Sequence, residues 1–190
     1  MSENVGIFGG AFDPPHNGHL ALARDAIDHF RLSRLLVRVV VDPGHKDVET
    51  APEARLALAE LAFATLDEAA VSLDPFGRTV DSLEALGLDD PLFLLGADEL
   101  AAFPTWTRPD RVLELARIGA ATRPGSDLQD LDRVVRSLVL PERVELFPIT
   151  PLAVSSSEIR ERVYSGLPID DLVPAAVARE IDRLGLYRTR

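Results

Sequence analysis

Near its N-terminus the chain passes from a short apolar strand, through glycines and two prolines, into a helix. From Gly6 to Leu20 it reads Gly-Ile-Phe-Gly-Gly-Ala-Phe-Asp-Pro-Pro-His-Asn-Gly-His-Leu. This order of strand, turn and helix is typical of the first half of a β-α-β unit, in which strands pair in parallel and helices cover the sheet. The start of such a helix favours an anion, because its first N–H groups lack helical partners and the helix dipole is positive there.

Two histidines, His16 and His19, stand at the entrance of this helix with Gly18 between them. Their side-chain donors would point at the same volume as the backbone N–H groups, so the sequence predicts a phosphate site. The alternative is a glycine- and proline-rich surface loop with two solvated histidines. That alternative accounts for a single histidine more easily than for two at this spacing.

Apolar runs rich in valine, leucine and isoleucine alternate with longer amphipathic segments. Over 190 residues, 46% of them hydrophobic, this alternation predicts one domain, 1–190, of the α/β class with a Rossmann-like, doubly wound parallel sheet. From about residue 155 to 190 the pattern is helical only, which predicts a helical C-terminal extension. The predicted strands are 5–8, 35–41, 71–73, 92–95, 118–121 and 144–147. The predicted helices are 20–30, 52–66, 79–86, 111–116, 127–138, 155–164 and 174–184.

Three loops with polar or glycine residues come directly after predicted strands. They are 9–19, 44–46 and 96–98. Ligands of open parallel sheets bind outside the carboxyl ends of the strands, where the strand order reverses. We therefore expect the three loops to line one rim.

The formal net charge of −11 argues against a protein that coats nucleic acid, since backbone binding needs clustered lysine and arginine. A local basic group can still bind a small anion. Lys46 is the single lysine of the chain, and it follows His45 at a predicted strand end. We interpret this pair as part of an anion site, with a solvated loop lysine as the alternative.

Several classes of protein are disfavoured by what the sequence lacks. No apolar run approaches the roughly 20 residues that span a bilayer, and the first residues do not resemble a signal peptide, so we expect a cytoplasmic protein. Cysteine is absent, which excludes disulfides, a thiolate nucleophile and a cysteine metal site. No histidine and aspartate cluster has metal-ligand spacing, so no protein-held metal is expected.

The first turn lacks both the Gly-x-Gly-x-x-Gly fingerprint and the P-loop pattern, which argues against hydride transfer and P-loop hydrolysis. Instead, the segment from Gly6 to Leu20 resembles the His-x-Gly-His signature of the nucleotidylyltransferase superfamily. In its full form it is similar to bacterial nicotinate-nucleotide adenylyltransferases. The segment 155–160, Ser-Ser-Ser-Glu-Ile-Arg, resembles the second signature of that family. Ser155 and Glu158 also fit a helix capping box, and both interpretations can hold together.

The resemblance extends over nearly the whole chain, including the C-terminal segment 172–187. His45 and Lys46 lie where the family has Pro-Pro-His-Lys, although Pro-Gly at 43–44 replaces the two prolines. The Gly-Ala-Asp at 96–98 matches the family's Gly-x-Asp. Before Thr79 the family usually carries Ser-Tyr, whereas this chain has Gly-Arg at 77–78.

The resemblance implies an adenylyltransferase of NAD biosynthesis that joins ATP and nicotinate mononucleotide, with Mg²⁺ arriving on the ATP. No covalent nucleophile is needed, because positioning and charge stabilisation do most of the work in such transfers. The implied catalytic residues are His16, His19, Lys46 and Arg160. The implied ATP-binding residues are Gly9, Gly10, Phe12, His16, His19, Gly96, Asp98, Ser156, Ile159 and Arg160. The implied acceptor-binding residues are Ala11, His45, Lys46, Thr79 and Trp106.

Other interpretations stay open at this point. A superfamily enzyme could use another phosphorylated acceptor: nicotinamide mononucleotide, phosphopantetheine or a sugar phosphate. A nucleotide-binding module without catalysis is a different class, and a fragment of a tRNA-charging enzyme fits the acidic charge poorly. Trp106 either fills a core gap or stacks on a flat heterocycle from a loop. Self-association is left open by the sequence.

Overall fold

A computed structural model describes residues 3–44, 48 and 50–189 of the chain. Each of the first five strands is followed by helical structure before the next strand, with two α-helices between the fourth and fifth strands, and two further helices follow the sixth strand in the described part. The described residues also contain two short 3₁₀ helices, Phe103–Thr105 and Pro141–Arg143. The elements are β1 Val5–Gly10, α1 Asn17–Phe30, β2 Arg34–Val40, α2 Pro52–Phe63, β3 Ala69–Asp74, α3 Thr79–Leu86, β4 Leu92–Gly96, α4 Ala97–Ala102, α5 Pro109–Leu115, β5 Arg117–Thr122, α6 Leu128–Ser137, β6 Val144–Pro148, α7 Ser156–Tyr164 and α8 Ala175–Leu184.

The six strands form one parallel sheet in the order β3-β2-β1-β4-β5-β6. The order reverses between β1 and β4, which is the switch point of a doubly wound sheet. The predicted Rossmann-like class is therefore confirmed. The loop after β1 and the start of α4 after β4 stand on either side of this switch point.

Helices cover both faces of the sheet because its central strands are apolar on both sides. On β2, Leu35, Val37 and Val39 are fully buried and pack in one cluster with α1, α2, α7 and α8. On β4, Phe93 and Leu95 belong to a second cluster with α3, α4, α5 and α6. The C-terminal helices thus pack on the same face as the helix that follows β1.

The structure differs from the predicted elements mainly after β4. A helix, α4, begins at the end of that strand, and a 3₁₀ helix follows it, where the sequence pattern predicted a loop. Six residues are too few to show helical periodicity. Helix α5 begins at Pro109, which suits the first helical position, and α2 ends at Phe63 rather than near 66. Among the described residues, no helix is long and apolar enough to cross a membrane.

Candidate active site

The two histidines of the first motif form a stacked pair at the start of α1. Their ring centroids lie 3.7 Å apart with 22° between the planes. The backbone N–H of His16 donates to Nδ1 of His19 at 3.2 Å, so the proton of a neutral His19 ring resides on Nε2. Two charged rings at this separation would repel each other. The pair therefore offers the Nε2–H of His19 as a hydrogen-bond donor, and its two rings do not both carry a positive charge.

His16 is buried at the N-cap of α1, with 8% of its surface exposed. Its Nδ1 is buried and has no hydrogen-bond partner among the described residues. Burial lowers the pKa of His16 to about 4, against a smaller opposing effect of its own backbone. Gly18 makes room for the ring, because a Cβ there would lie 3.1 Å from His16 and from Val154. His16 is thus a neutral, tightly enclosed ring at neutral pH.

The low pKa of His16 predicts that acid destabilises the fold. Between pH 6.5 and about 4, the unfolded chain takes up a proton that the folded chain does not. The free energy of unfolding should therefore fall by about 3 kcal/mol as pH drops through this window, and His16 contributes nothing above it. Urea unfolding at pH 7 and pH 4.5 checks this. The His16→Gln variant should lose less stability than the wild type, and equal losses would contradict the prediction.

Arg55 of α2 is hydrogen-bonded to the loop between β1 and α1. It is 1% exposed, and its guanidinium donates to the carbonyl oxygens of Ala11, Val40 and Val41 at 2.8 Å each and of Thr50 at 3.0 Å. These carbonyls belong to the segment after β1, to the last residue of β2 and to the segment that follows β2. One buried cation therefore fixes the two segments against each other.

The second motif begins α7, and its start is capped as the sequence predicted. The hydroxyl of Ser155 accepts a hydrogen bond from the N–H of Glu158 at 3.1 Å, which confirms Ser155 as the cap. The Glu158 carboxylate pairs with Arg162 at 3.4 Å, so the reciprocal half of the predicted capping box does not form. Just before the cap, Val154 lies against the Gly18 and His16 segment. The start of α7 is therefore held beside the start of α1.

Direct hydrogen bonds join the two motifs. Ser156 Oγ donates to the Pro14 carbonyl at 2.9 Å, and Arg160 donates to the Asp13 carbonyl at 2.6 Å and to Ser157 Oγ at 3.2 Å. Because the Ser156 hydroxyl donates its hydrogen to the Pro14 carbonyl, it does not donate to a phosphate in this arrangement. The two bonds of Arg160 use two of the five guanidinium donors, so this side chain can hold the loop and still bind an anion.

Across the switch point, β4 runs directly into α4. Gly96 is the N-cap of α4, and a Cβ there would lie 2.7 Å from Glu99 Oε2. Asp98 lies in the first helical turn with its side chain 90% exposed, 3.7 Å from Arg123 of the segment after β5. Its carboxylate is thus positioned at the rim rather than used as a cap.

Trp106 lies just past the 3₁₀ helix and is half-buried. Its ring packs edge-on against Phe93 of β4, with ring centroids 6.2 Å apart. Phe93 also lies beside the first motif, since a Cβ added to Gly9 would be 3.8 Å from the Phe93 ring. Arg108 donates to Asp81 of α3 at 2.9 Å. The tryptophan therefore lies on the opposite side of the sheet from α1, in a segment tied to the first turn of α3.

Thr79 begins α3, and the departure from the family pattern lies just before it. Arg78 is the N-cap of α3 with an extended backbone and is exposed. Gly77 approaches the end of β2 closely, since a Cβ on it would lie 3.2 Å from the Asp42 carbonyl. Asp42 Oδ1 also accepts the N–H of Gly44 at 3.0 Å. The start of α3 and the segment after β2 are therefore neighbours.

Some predicted site residues contribute differently from expectation. Phe12 is 2% exposed, and its ring packs edge-on against His19 at 5.1 Å and fills the space beside Gly10. Ile159 is fully buried in the core. These two side chains support the site from inside, so any nucleotide contact would come from their backbone. His45 and Lys46 lie outside the described residues.

Comparison with known proteins shows which family and fold the chain shares. A model of the cytidylyltransferase-like family matches residues 7–162. A probable nicotinate-nucleotide adenylyltransferase of Thermomicrobium roseum is 38% identical over 198 residues, which cover 98% of this chain and 92% of the relative. One from Bordetella avium is 35% identical, with 98% of each chain covered. Plasmodium falciparum nicotinic acid mononucleotide adenylyltransferase complexed with NaAD has the same fold, with a TM-score of 0.79 at 17% identity, covering 100% of this chain and 99% of that chain.

Proposed function

We propose that this chain, which belongs to the nicotinate-nucleotide adenylyltransferase family of cytidylyltransferase-like proteins, joins ATP to nicotinate mononucleotide. The products are nicotinate adenine dinucleotide and pyrophosphate. One observation carries the proposal: Ser156 and Arg160 bond to the loop before His16 although 142 and 147 positions separate the partners. The two motifs of the family therefore lie together beside the switch point, which supports a single site built from both. Such an enzyme of NAD biosynthesis acts on small molecules, and we place it in the cytoplasm.

In the proposed reaction, a phosphate oxygen of nicotinate mononucleotide attacks the α-phosphorus of ATP in line. The new P–O bond forms as the bond to pyrophosphate breaks. Negative charge builds on the phosphate oxygens, and fixed donors lower the barrier by stabilising it. His19 donates from Nε2, the nitrogen left protonated by its bond to His16. His16, with Nδ1 enclosed beside Gly18, would meet the phosphates through Nε2.

The leaving pyrophosphate is assigned to Arg160, whose planar guanidinium suits phosphate oxygens. Lys46 would add a point charge from the segment after β2. The described residues contain no group of three or more histidine or acidic side chains placed to hold a metal. In this proposal magnesium arrives on the ATP, held by its phosphates and water as is usual for this cation.

A direct assay tests the function. Purified protein with Mg²⁺, ATP and nicotinate mononucleotide should release pyrophosphate, and a parallel series should use nicotinamide mononucleotide, phosphopantetheine and a sugar phosphate. The highest turnover is expected with nicotinate mononucleotide. Faster turnover with another acceptor would support a different superfamily enzyme. Binding of ATP without product from any acceptor would support a nucleotide-binding module instead.

Replacing Trp106 tests the acceptor side. We propose that its half-buried ring stacks on the pyridine ring, while Thr79 and nearby N–H groups face the carboxylate. Stacking of a base on an aromatic side chain is worth about 1–3 kcal/mol, so Trp106→Ala should raise the KM for nicotinate mononucleotide about 5- to 150-fold. The KM for ATP should stay within twofold. Trp106→Tyr keeps an aromatic face and should recover much of the loss, whereas an unchanged KM in Trp106→Ala would refute the stacking role.

A further inference from the structure

Tyr187 reaches the first motif from the far end of the described chain. Its hydroxyl donates to Asp13 Oδ1 at 2.6 Å, across 174 positions of sequence. The chain leaves α8 through Gly185 at φ 63°, and Tyr187 itself has φ 61°. Positive φ is unfavourable for an aromatic residue and persists only where surrounding contacts hold it. The contact with Asp13, together with packing of the ring on the core, is what holds it here.

Asp13 is the junction at which several elements meet. It is 4% exposed. Its carbonyl accepts from Arg160 of α7, its carboxylate accepts from Tyr187, and the charge of Arg55 lies close enough to interact with it. The next residues along the chain lead to His16. The position of Asp13 therefore sets the path of the loop into the stacked histidines.

We propose that Tyr187 is a positioning residue for the transfer reaction, because its hydroxyl holds the Asp13 carboxylate and so keeps Arg160 and His16 in their places. This inference rests on the proposed function. Without the Tyr187 hydroxyl, the buried Asp13 carboxylate loses its hydrogen-bond donor, which is costly. The carboxylate then competes with the phosphates for the guanidinium of Arg160. That guanidinium already bonds to the carbonyl of the same residue. The cation assigned to pyrophosphate would then be drawn away from it.

The Tyr187→Phe variant tests this role, since it removes one oxygen and keeps the ring. Small misplacements of catalytic groups reduce rates strongly, so kcat should fall about 10- to 100-fold. The KM for nicotinate mononucleotide should stay within twofold, because Trp106 and Thr79 lie on the other side of the sheet. Tyr164→Phe is the matched control, since the second tyrosine of the chain is 47% exposed on α7. A kcat of Tyr187→Phe within twofold of wild type would overturn the proposal.

Two further measurements separate this inference from the proposed function. Calorimetric titration with Mg·ATP should show about tenfold weaker binding to Tyr187→Phe, even if the wild type turns over no acceptor. Equal affinity would count against the positioning role. In the Tyr164→Phe background, ultraviolet titration reports Tyr187 alone. Burial first, and then the Asp13 charge, raise the pKa of Tyr187 above its ordinary value, so Tyr187 should stay protonated in the folded protein at a pH where an exposed tyrosine ionises, about 10. Ionisation of Tyr187 near pH 10 in the folded protein would show that the contact does not form.

Discussion

Replacing His19 by alanine is expected to lower kcat by about 10²–10³-fold, the usual cost of removing one donor from developing charge. His19 keeps its Nε2 proton because its Nδ1 accepts from the His16 backbone. The proposed donor of His16 comes from a separate ring that is enclosed and stays uncharged, so it cannot move to replace the donor of His19. Steady-state pyrophosphate release at saturating ATP and acceptor gives the measurement.

The matched control is His29→Ala, which changes the same residue type in the same helix. His29 faces away from the motif and bonds to Glu145 at 2.9 Å, so kcat should stay within twofold. His19→Gln can place an amide N–H near the original donor and should recover part of the rate. Circular dichroism should show that all variants stay folded. A His19→Ala enzyme as active as wild type would remove the basis of the proposed chemistry.

Replacing Arg55 by methionine is expected to lower the free energy of unfolding by about 3–5 kcal/mol. The substitution keeps a long side chain but leaves four partly buried carbonyl oxygens without this donor, and a loss of this kind costs up to about 1–3 kcal/mol for each group before relaxation. Since domains are stable by only about 5–15 kcal/mol, this is a large fraction. Urea unfolding at pH 7 measures it.

Arg133→Met is the control, because that side chain is 76% exposed and pairs only with Asp130 in the described structure. Its stability should change by less than about 0.5 kcal/mol. Arg55→Lys keeps the charge but cannot span all four carbonyls, so it should lie between wild type and Arg55→Met. If Arg55→Met were as stable as the control, the four bonds would not be what joins the two loops.

The fold could be predicted from sequence because its signals are local. The apolar run at 92–95 is a strand buried on both faces, and the spacing from Leu20 to Phe30 gave α1. Helix α4 was missed because it is short and begins without a break at Gly96. Local periodicity carries no information about a helix of that length.

The candidate site was only partly predictable. The residue patterns of both motifs predicted that each begins a helix, and Glu158 three positions later indicated Ser155 as a cap. Arg55 lies three and four positions before the buried Leu58 and Ala59, so the helical spacing indicates that its side chain points inward. The carbonyls that it contacts lie mostly in loops whose paths the local sequence does not predict. The contact of Tyr187 with Asp13 joins residues 174 positions apart. A pairing of that kind follows from tertiary structure alone.

The loop before His16 is synthesised well before the groups that secure it. Its partners in α7 and at Tyr187 lie 142 to 174 positions downstream. Closing so long a separation is entropically costly and slow. A nascent chain still on the ribosome can form the β1–α1 unit, yet it lacks the groups that shape its nucleotide loop. The proposed competence for ATP is thereby deferred until the residues up to Tyr187 have been synthesised.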